Sequence, residues 1–125
     1  MIGYVTFGTN DLDRARAFYD TLFGEIGGKR TMQSDRYCAW SVGKGVPALM
    51  VASPFDGKPA TVGNGTMAAL VVDSKDQVAL IHKKALELGG VDEGPVGPRG
   101  TNGFYAGYFR DLDGNKLNVF CIDRG

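Results

Sequence analysis

One pattern occurs twice along this chain. Asp11 to Gly27 and Asp73 to Gly89 span the same interval, each preceded by a short apolar run and each closing in Gly-Gly. A repeated supersecondary unit constrains the fold more than any single motif, because each copy must bury its own apolar stripe against neighbouring elements. In the first copy Tyr4–Gly8 reads as a strand, and Thr9-Asn10-Asp11 offers short side-chain oxygens to the unpaired N–H groups of a helix start. From Leu12 the apolar residues fall at Leu12, Ala15, Phe18, Tyr19, Leu22 and Ile26, the spacing of one helical face. Gly27-Gly28 ends the helix. Lys29–Met32, Arg36–Val42 and Ala48–Ser53 then read as strands, with Ser34-Asp35 and Gly43-Lys44-Gly45 as turns. Alternation puts Cys38, Trp40 and Val42 on one face, and Tyr37, Ala39 and Ser41 on the other.

The second copy follows a Pro/Gly-rich connection, Pro54–Gly65. Met67–Val72 reads as a strand, Asp73-Ser74 as a cap, and Lys75–Leu88 as a helix with Val78, Ile81, Ala85 and Leu88 on one face. Val91–Gly103, rich in Gly and Pro, is expected to be mostly loop with one short strand. The chain closes on a hairpin, Phe104–Arg110 and Lys116–Ile122, joined by a turn in which Asp113-Gly114 supplies the positive φ. In its last strand Leu117, Val119 and Cys121 face one way, and Asn118, Phe120 and Ile122 the other. Which face Tyr105 and Tyr108 take is not fixed by the sequence. The expectation is an α+β fold of paired βαβββ modules, about 1–56 and 65–125, forming one domain. Eight strands would make a mixed sheet, with two helices on its outer face and the other face left as a cleft.

The totals remove several function classes. Lys and Arg number 14 and so do Asp and Glu, so no net charge favours nucleic acid or an anionic membrane as partner. No apolar run approaches the roughly 20 residues of a membrane span. The start, Met1-Ile2-Gly3-Tyr4, lacks the basic and apolar regions of a signal peptide. Cys38 and Cys121 read as buried apolar fillers, and the expected location is cytoplasmic. Asp111 and Asp113 do not follow the calcium-loop spacing and read as turn scaffolding. No phosphate-binding glycine motif and no Ser-His-Asp set is present, and Cys38 lacks adjacent basic residues to activate it.

Three stretches carry a resemblance. Tyr4–Tyr19 (YVTFGTNDLDRARAFY), Gly65–Asp73 (GTMAALVVD) and Arg110–Phe120 (RDLDGNKLNVF) resemble the vicinal oxygen chelate superfamily of glyoxalase I, bleomycin-resistance proteins and extradiol dioxygenases. The resemblance covers essentially the whole chain. It implies paired βαβββ modules curled into a cup, usually in a homodimer, with a divalent metal held by four side chains. Carried over residue by residue, those four positions fall on Tyr4, at or next to Met50, on Met67 and on Asn118. None is a usual ligand. Hard divalent ions need imidazole nitrogen or carboxylate oxygen, and a phenol, two thioethers and one amide cannot neutralise the charge. The single histidine, His82, falls mid-helix on the wrong side of the sheet. No metal and no other cofactor is therefore expected.

What remains is an apolar set with a few polar edges, the usual lining of a small-molecule site. Tyr4, Trp40, Met50, Met67, Arg99, Tyr105 and Asn118 are the candidate ligand-binding residues. The expected function is binding of a small organic molecule in the cup without a metal. One rival is a glyoxalase-type lyase or isomerase in which Tyr4 acts as acid–base group and Asn118 as hydrogen-bond donor. The other is a non-catalytic interaction module whose cup is filled by its own side chains.

Overall fold

Asp11 starts the first helix as its side chain suggests, its Oδ1 accepting the N–H of Arg14 at 3.1 Å. In the computed structural model, which describes residues 1–123, two compact units divide the chain, Met1–Gly63 and Asn64–Gly125. The first holds β1 (Tyr4–Gly8), α1 (Leu12–Gly24), β2 (Lys29–Gln33), β3 (Tyr37–Ser41) and β4 (Ala48–Ala52). The second holds β5 (Ala68–Val71), α2 (Lys75–Glu87), β6 (Val91–Pro98), β7 (Phe104–Arg110) and β8 (Lys116–Ile122). Both are βαβββ units, and the α+β expectation holds. The eight strands form two four-stranded mixed sheets, ordered β1-β4-β3-β2 and β5-β8-β7-β6. A single eight-stranded sheet was expected. Instead the first strand of each unit pairs in parallel with the last strand of the same unit, so the hydrogen bonding is satisfied within each unit.

In the first unit α1 covers one sheet face. Ala15, Phe18, Tyr19, Leu22 and Phe23 are buried along it, and the sheet presents Phe7, Cys38, Trp40, Leu49 and Val51, all buried. Trp40 is the centre of this core. Its ring lies 5.4 Å from that of Tyr19 and 6.0 Å from that of Phe23. Its Nε1–H donates to Asp20 Oδ1 at 2.8 Å, which satisfies the one polar atom that burial would otherwise strand. Asp20 also accepts two bonds from Arg30, at 2.9 and 2.7 Å. Arg16 reaches from the same helix to the carbonyls of Ser34 and Tyr37 and so ties down the β2–β3 turn. Gly28 follows the helix because a Cβ there would stand 2.7 Å from the Phe23 Cβ. The Pro/Gly-rich connection is not a free linker. Asn10 exchanges two hydrogen bonds with the backbone of Ala60, at 2.7 and 3.2 Å.

In the second unit Ser74 caps α2 by accepting the N–H of Gln77 at 3.2 Å. Val78, Ile81 and Ala85 pack over the fully buried Phe109, Leu117 and Val119. His82 is part of this core. Its Nε2 lies 3.1 Å from Asp92 Oδ1 and 3.1 Å from the Tyr108 carbonyl. Gly107 makes the room, since a Cβ there would come within 2.8 Å of the His82 ring. The stretch read as mostly loop is the eight-residue β6. It is an edge strand with register shifts at Asp92/Gly94 and Gly94/Gly97. Edge position and bulges are where a strand tolerates Pro and Gly, and Pro95 and Pro98 sit there. In the closing turn the Asp111 carboxylate accepts the backbone N–H groups of Asp113 and Asn115, both at 2.9 Å, and the Asn115 side chain at 3.0 Å. Gly114 takes φ 87°.

Two outcomes follow. Asp111→Ala strips three donors of their acceptor inside a turn where Asp111 and Asn115 are both buried, and should cost about 2–4 kcal/mol in urea unfolding. A cost below about 0.5 kcal/mol would contradict the scaffold role. Asp20 is held below the ordinary carboxylate range, first by its hydrogen bond to Arg30, with burial opposing and the bond from Trp40 adding to the effect. A depressed folded pKa means that the unfolded chain binds the proton more readily. The stabilisation is therefore present above the unfolded carboxylate value and is lost as pH falls through the folded one. Relative to the parent protein, the stability lost in Asp20→Asn should shrink as pH falls below the ordinary carboxylate value of about 3.9. A gap that stays constant would remove Asp20 from the acid response.

Candidate functional site

Each helix covers one face of its sheet, and strand alternation sends every second side chain to the other face. In the first unit the register aligns Thr6, Met50, Ala39 and Met32 across that uncovered face, with Tyr4 two residues before Thr6 on β1. Tyr4 is 54% exposed and Met50 is buried. Among the described residues no hydrogen bond holds the Tyr4 hydroxyl.

In the second unit Asn118 occupies the centre of the helix-free face, paired in register with Ala69 on one side and Tyr108 on the other. Lys116 and Phe120 flank it along the same strand. Asn118 is 2% exposed. Its Nδ2 reaches only the Met67 thioether, at 4.0 Å, a weak acceptor. Its Oδ1 is buried and, among the described residues, has no hydrogen-bond partner. A buried amide oxygen left unpaired costs about 1–3 kcal/mol, and among the described residues Arg16 Nε is the other buried side-chain atom in this state. Arg99 lies over the Tyr108 ring at 5.4 Å, and the Lys116 ammonium lies 5.6 Å from the same ring.

The sequence candidates therefore separate. Met67, Arg99 and Asn118 gather on the helix-free face of the second sheet. Tyr4 and Met50 lie on the corresponding face of the first. Trp40 and Tyr105 are corrected: Trp40 belongs to the core under α1, and Tyr105 faces the helix side, where Lys75 sits 5.2 Å from its ring. Both follow from parity. Tyr105 pairs with Cys121 and Tyr108 pairs with Asn118, so Tyr108 is the tyrosine beside the amide. Tyr108 and Lys116 were missed as site residues. The hairpin register puts Tyr108 opposite Asn118, whereas Lys116 shows itself only once Arg99 is found over the same ring.

The donor set near Asn118 does not suit a hard divalent ion. It consists of an amide, a thioether and a phenol ring with two cations on it, without imidazole or free carboxylate. Glu93, the nearby acid, is bound to Arg110 at 2.7 Å. Among the described residues no three His, Cys, Asp or Glu side chains gather to hold an ion. His82 presents its Nε2 to Asp92 and Tyr108 in the helix-side core. Cys38 is fully buried and burial pushes its thiol pKa up, the reverse of an activated nucleophile.

The sequence model of the Glyoxalase/Bleomycin resistance protein/Dioxygenase superfamily matches residues 1–119. Among solved structures, a glyoxalase/bleomycin resistance protein from Albidiferax ferrireducens T118 is 30% identical with a TM-score of 0.88, over 97% of this chain and 98% of that one. A lactoylglutathione lyase from Agrobacterium tumefaciens is 23% identical with a TM-score of 0.70, over 97% and 92% of the two chains. A fosfomycin resistance protein from Listeria monocytogenes is 16% identical with a TM-score of 0.71, again over 97% and 92%. At those identities the last two show a shared fold alone. No curated protein matches the chain.

If the Asn118 amide is unpaired in the free protein, an apolar residue of the same shape removes the desolvation penalty. Asn118→Leu should leave stability unchanged or raise it by up to about 1–2 kcal/mol in urea unfolding. A loss above about 1 kcal/mol would show that the amide is paired and structural.

Proposed function

The chain belongs to the glyoxalase/bleomycin resistance protein/dioxygenase superfamily, and we propose that it is a member that binds a small organic molecule without a metal, on the helix-free face around Asn118. The observation that carries the reading is the buried, partnerless Oδ1 of Asn118, standing among Met67, Ala69, Tyr108 and Phe120. An apolar surface with one waiting acceptor is what a small ligand with one donor recognises. The donor set supports the metal-independent part, since amide and thioether supply neither the charge nor the hardness that a divalent ion needs.

Binding is favoured over turnover by the surroundings of Tyr4. A proton-transfer role asks for a neighbour that positions the phenol, and among the described residues no side chain bonds it. We also read the protein as a cytoplasmic homodimer. Two free, buried thiols suit a reducing compartment, and the exposed Met67, Val71 and Ile122 give the second unit's helix-free side apolar area of the kind that subunit contacts use.

Thermal-shift screening against small aromatic and thiol-adduct ligands tests the reading, with elemental analysis of the same preparation. A ligand at about a hundredfold over its Kd should add about 2.7 kcal/mol and raise Tm by several degrees, equally with and without EDTA. Stoichiometric Mn, Ni, Zn or Fe, whose removal abolishes the shift, would overturn the metal-independent reading.

A further inference from the structure

Arg99 and Lys116 lie over one ring. The Arg99 Cζ is 5.4 Å and the Lys116 Nζ 5.6 Å from the Tyr108 centroid, and Tyr108 stands directly across the β7–β8 ladder from Asn118. Two cations brought to one aromatic ring repel each other unless an anion joins them. Among the described residues neither has a carboxylate partner. The other cation on this face, Arg110, is neutralised by Glu93 at 2.7 Å. The face therefore carries Arg99, Arg110 and Lys116 against Glu93, an excess of positive charge in a chain whose formal net charge is zero.

Arg99 is held in place before any ligand arrives. Its Nη1 donates to the carbonyls of Gly97 at 2.9 Å and Pro98 at 3.4 Å, and its Nη2 to that of Pro95 at 2.6 Å. A guanidinium has five N–H donors. Three are used here, which leaves two without a partner. Gly94 provides the space, since a Cβ there would press on the Arg99 Nη2 and on the Tyr108 ring, at 3.3 Å each. A cation fixed by backbone carbonyls at the bulges of β6 keeps little freedom to lose on binding, which favours it as a receptor group.

We infer that Arg99 and Lys116 form an oxyanion-binding site on the helix-free face of the second sheet, and that Asn118 Oδ1 takes a hydrogen bond from a donor on the same ligand. The class is a small organic carboxylate or phosphoryl compound that also carries an O–H or N–H group. This rests on the ligand-binding reading above and narrows it. The guanidinium and ammonium neutralise the anion, the Tyr108 ring and the Met67 thioether offer contact to the organic body, and the amide oxygen selects the donor. Recognition of a donor by a buried acceptor discriminates strongly, because an analogue that lacks the donor leaves the acceptor unpaired.

Titration calorimetry with the full chain and four probes tests this: 3-hydroxybenzoate, benzoate, 3-hydroxybenzamide and phenyl phosphate. The expected order places 3-hydroxybenzoate at least tenfold above both benzoate, which lacks the donor, and 3-hydroxybenzamide, which lacks the charge. Phenyl phosphate binding more tightly than benzoate would identify the phosphoryl group as the preferred oxyanion, and the reverse order would identify the carboxylate. Arg99→Gln and Lys116→Gln should each weaken 3-hydroxybenzoate about tenfold and leave the amide unaffected. Among the described residues the Lys116 side chain makes no hydrogen bond to the backbone, so Lys116→Gln remains informative if Arg99→Gln disturbs β6. Asn118→Leu should erase the preference for 3-hydroxybenzoate over benzoate. The inference is overturned if the amide binds as well as the acid, if Lys116→Gln changes nothing, or if none of the four binds. In the last case a neutral compound that still raises Tm in the screen would preserve the ligand-binding reading, and the absence of any stabilising compound would end both.

Discussion

One helix can cover only one face of a four-stranded sheet, and the remainder of each unit follows from that restriction. Alternation along the strands divides the side chains into two populations. Those facing the helix are large, apolar and closely packed: Trp40, Tyr19 and Phe23 in the first unit, and Phe109, Ile81 and Leu117 in the second. Two polar groups that enter this layer are satisfied. Trp40 donates to Asp20, and His82 bridges Asp92 and the Tyr108 carbonyl. The opposite population obeys no such rule. Among the described residues it contains an amide oxygen with no donor and two cations with no carboxylate partner. Apolar packing is concentrated on the helix side, and the cations over Tyr108 lie on the other.

That separation explains the mixed character of the Asn118 surroundings. The sheet backbone around Asn118 is rigid, because β8 is paired on both sides and Asp111 anchors its turn. A site built on a central strand keeps its geometry better than one built on loops. Arg99 comes from the end of an irregular edge strand, yet it too is fixed through carbonyls. A ligand arriving there meets groups already positioned.

Much of this was readable beforehand. The two Gly-Gly stops and the capped helices gave the helices to within a few residues, since apolar spacing and short cap side chains act locally. The hairpin ends at Arg110 and Lys116 were legible because Asp113-Gly114 fixes the turn. β6 was not, because Gly and Pro argue for loop until the strand is known to lie at an edge and to be bulged. Closure of each sheet within its own unit was also hidden, since pairing partners distant in sequence leave no local signal. The amide at Asn118 stood out because it falls where the family that the chain resembles places a metal ligand. Trp40 misled because an indole suits a pocket as well as a core, and only the helix position decides. Lys116 was overlooked because a lone lysine carries no signal until Arg99 is found over the same ring.

The proposed site depends on the Asn118 oxygen taking a ligand's donor. A high-resolution crystal structure of the protein grown with 3-hydroxybenzoate, with anomalous data collected at transition-metal edges, decides this. It should show a donor on the ligand within about 3 Å of Asn118 Oδ1, its oxyanion against Arg99 and Lys116, and no anomalous peak. A divalent ion on Asn118, or a protein donor already bonded to its Oδ1, would contradict it.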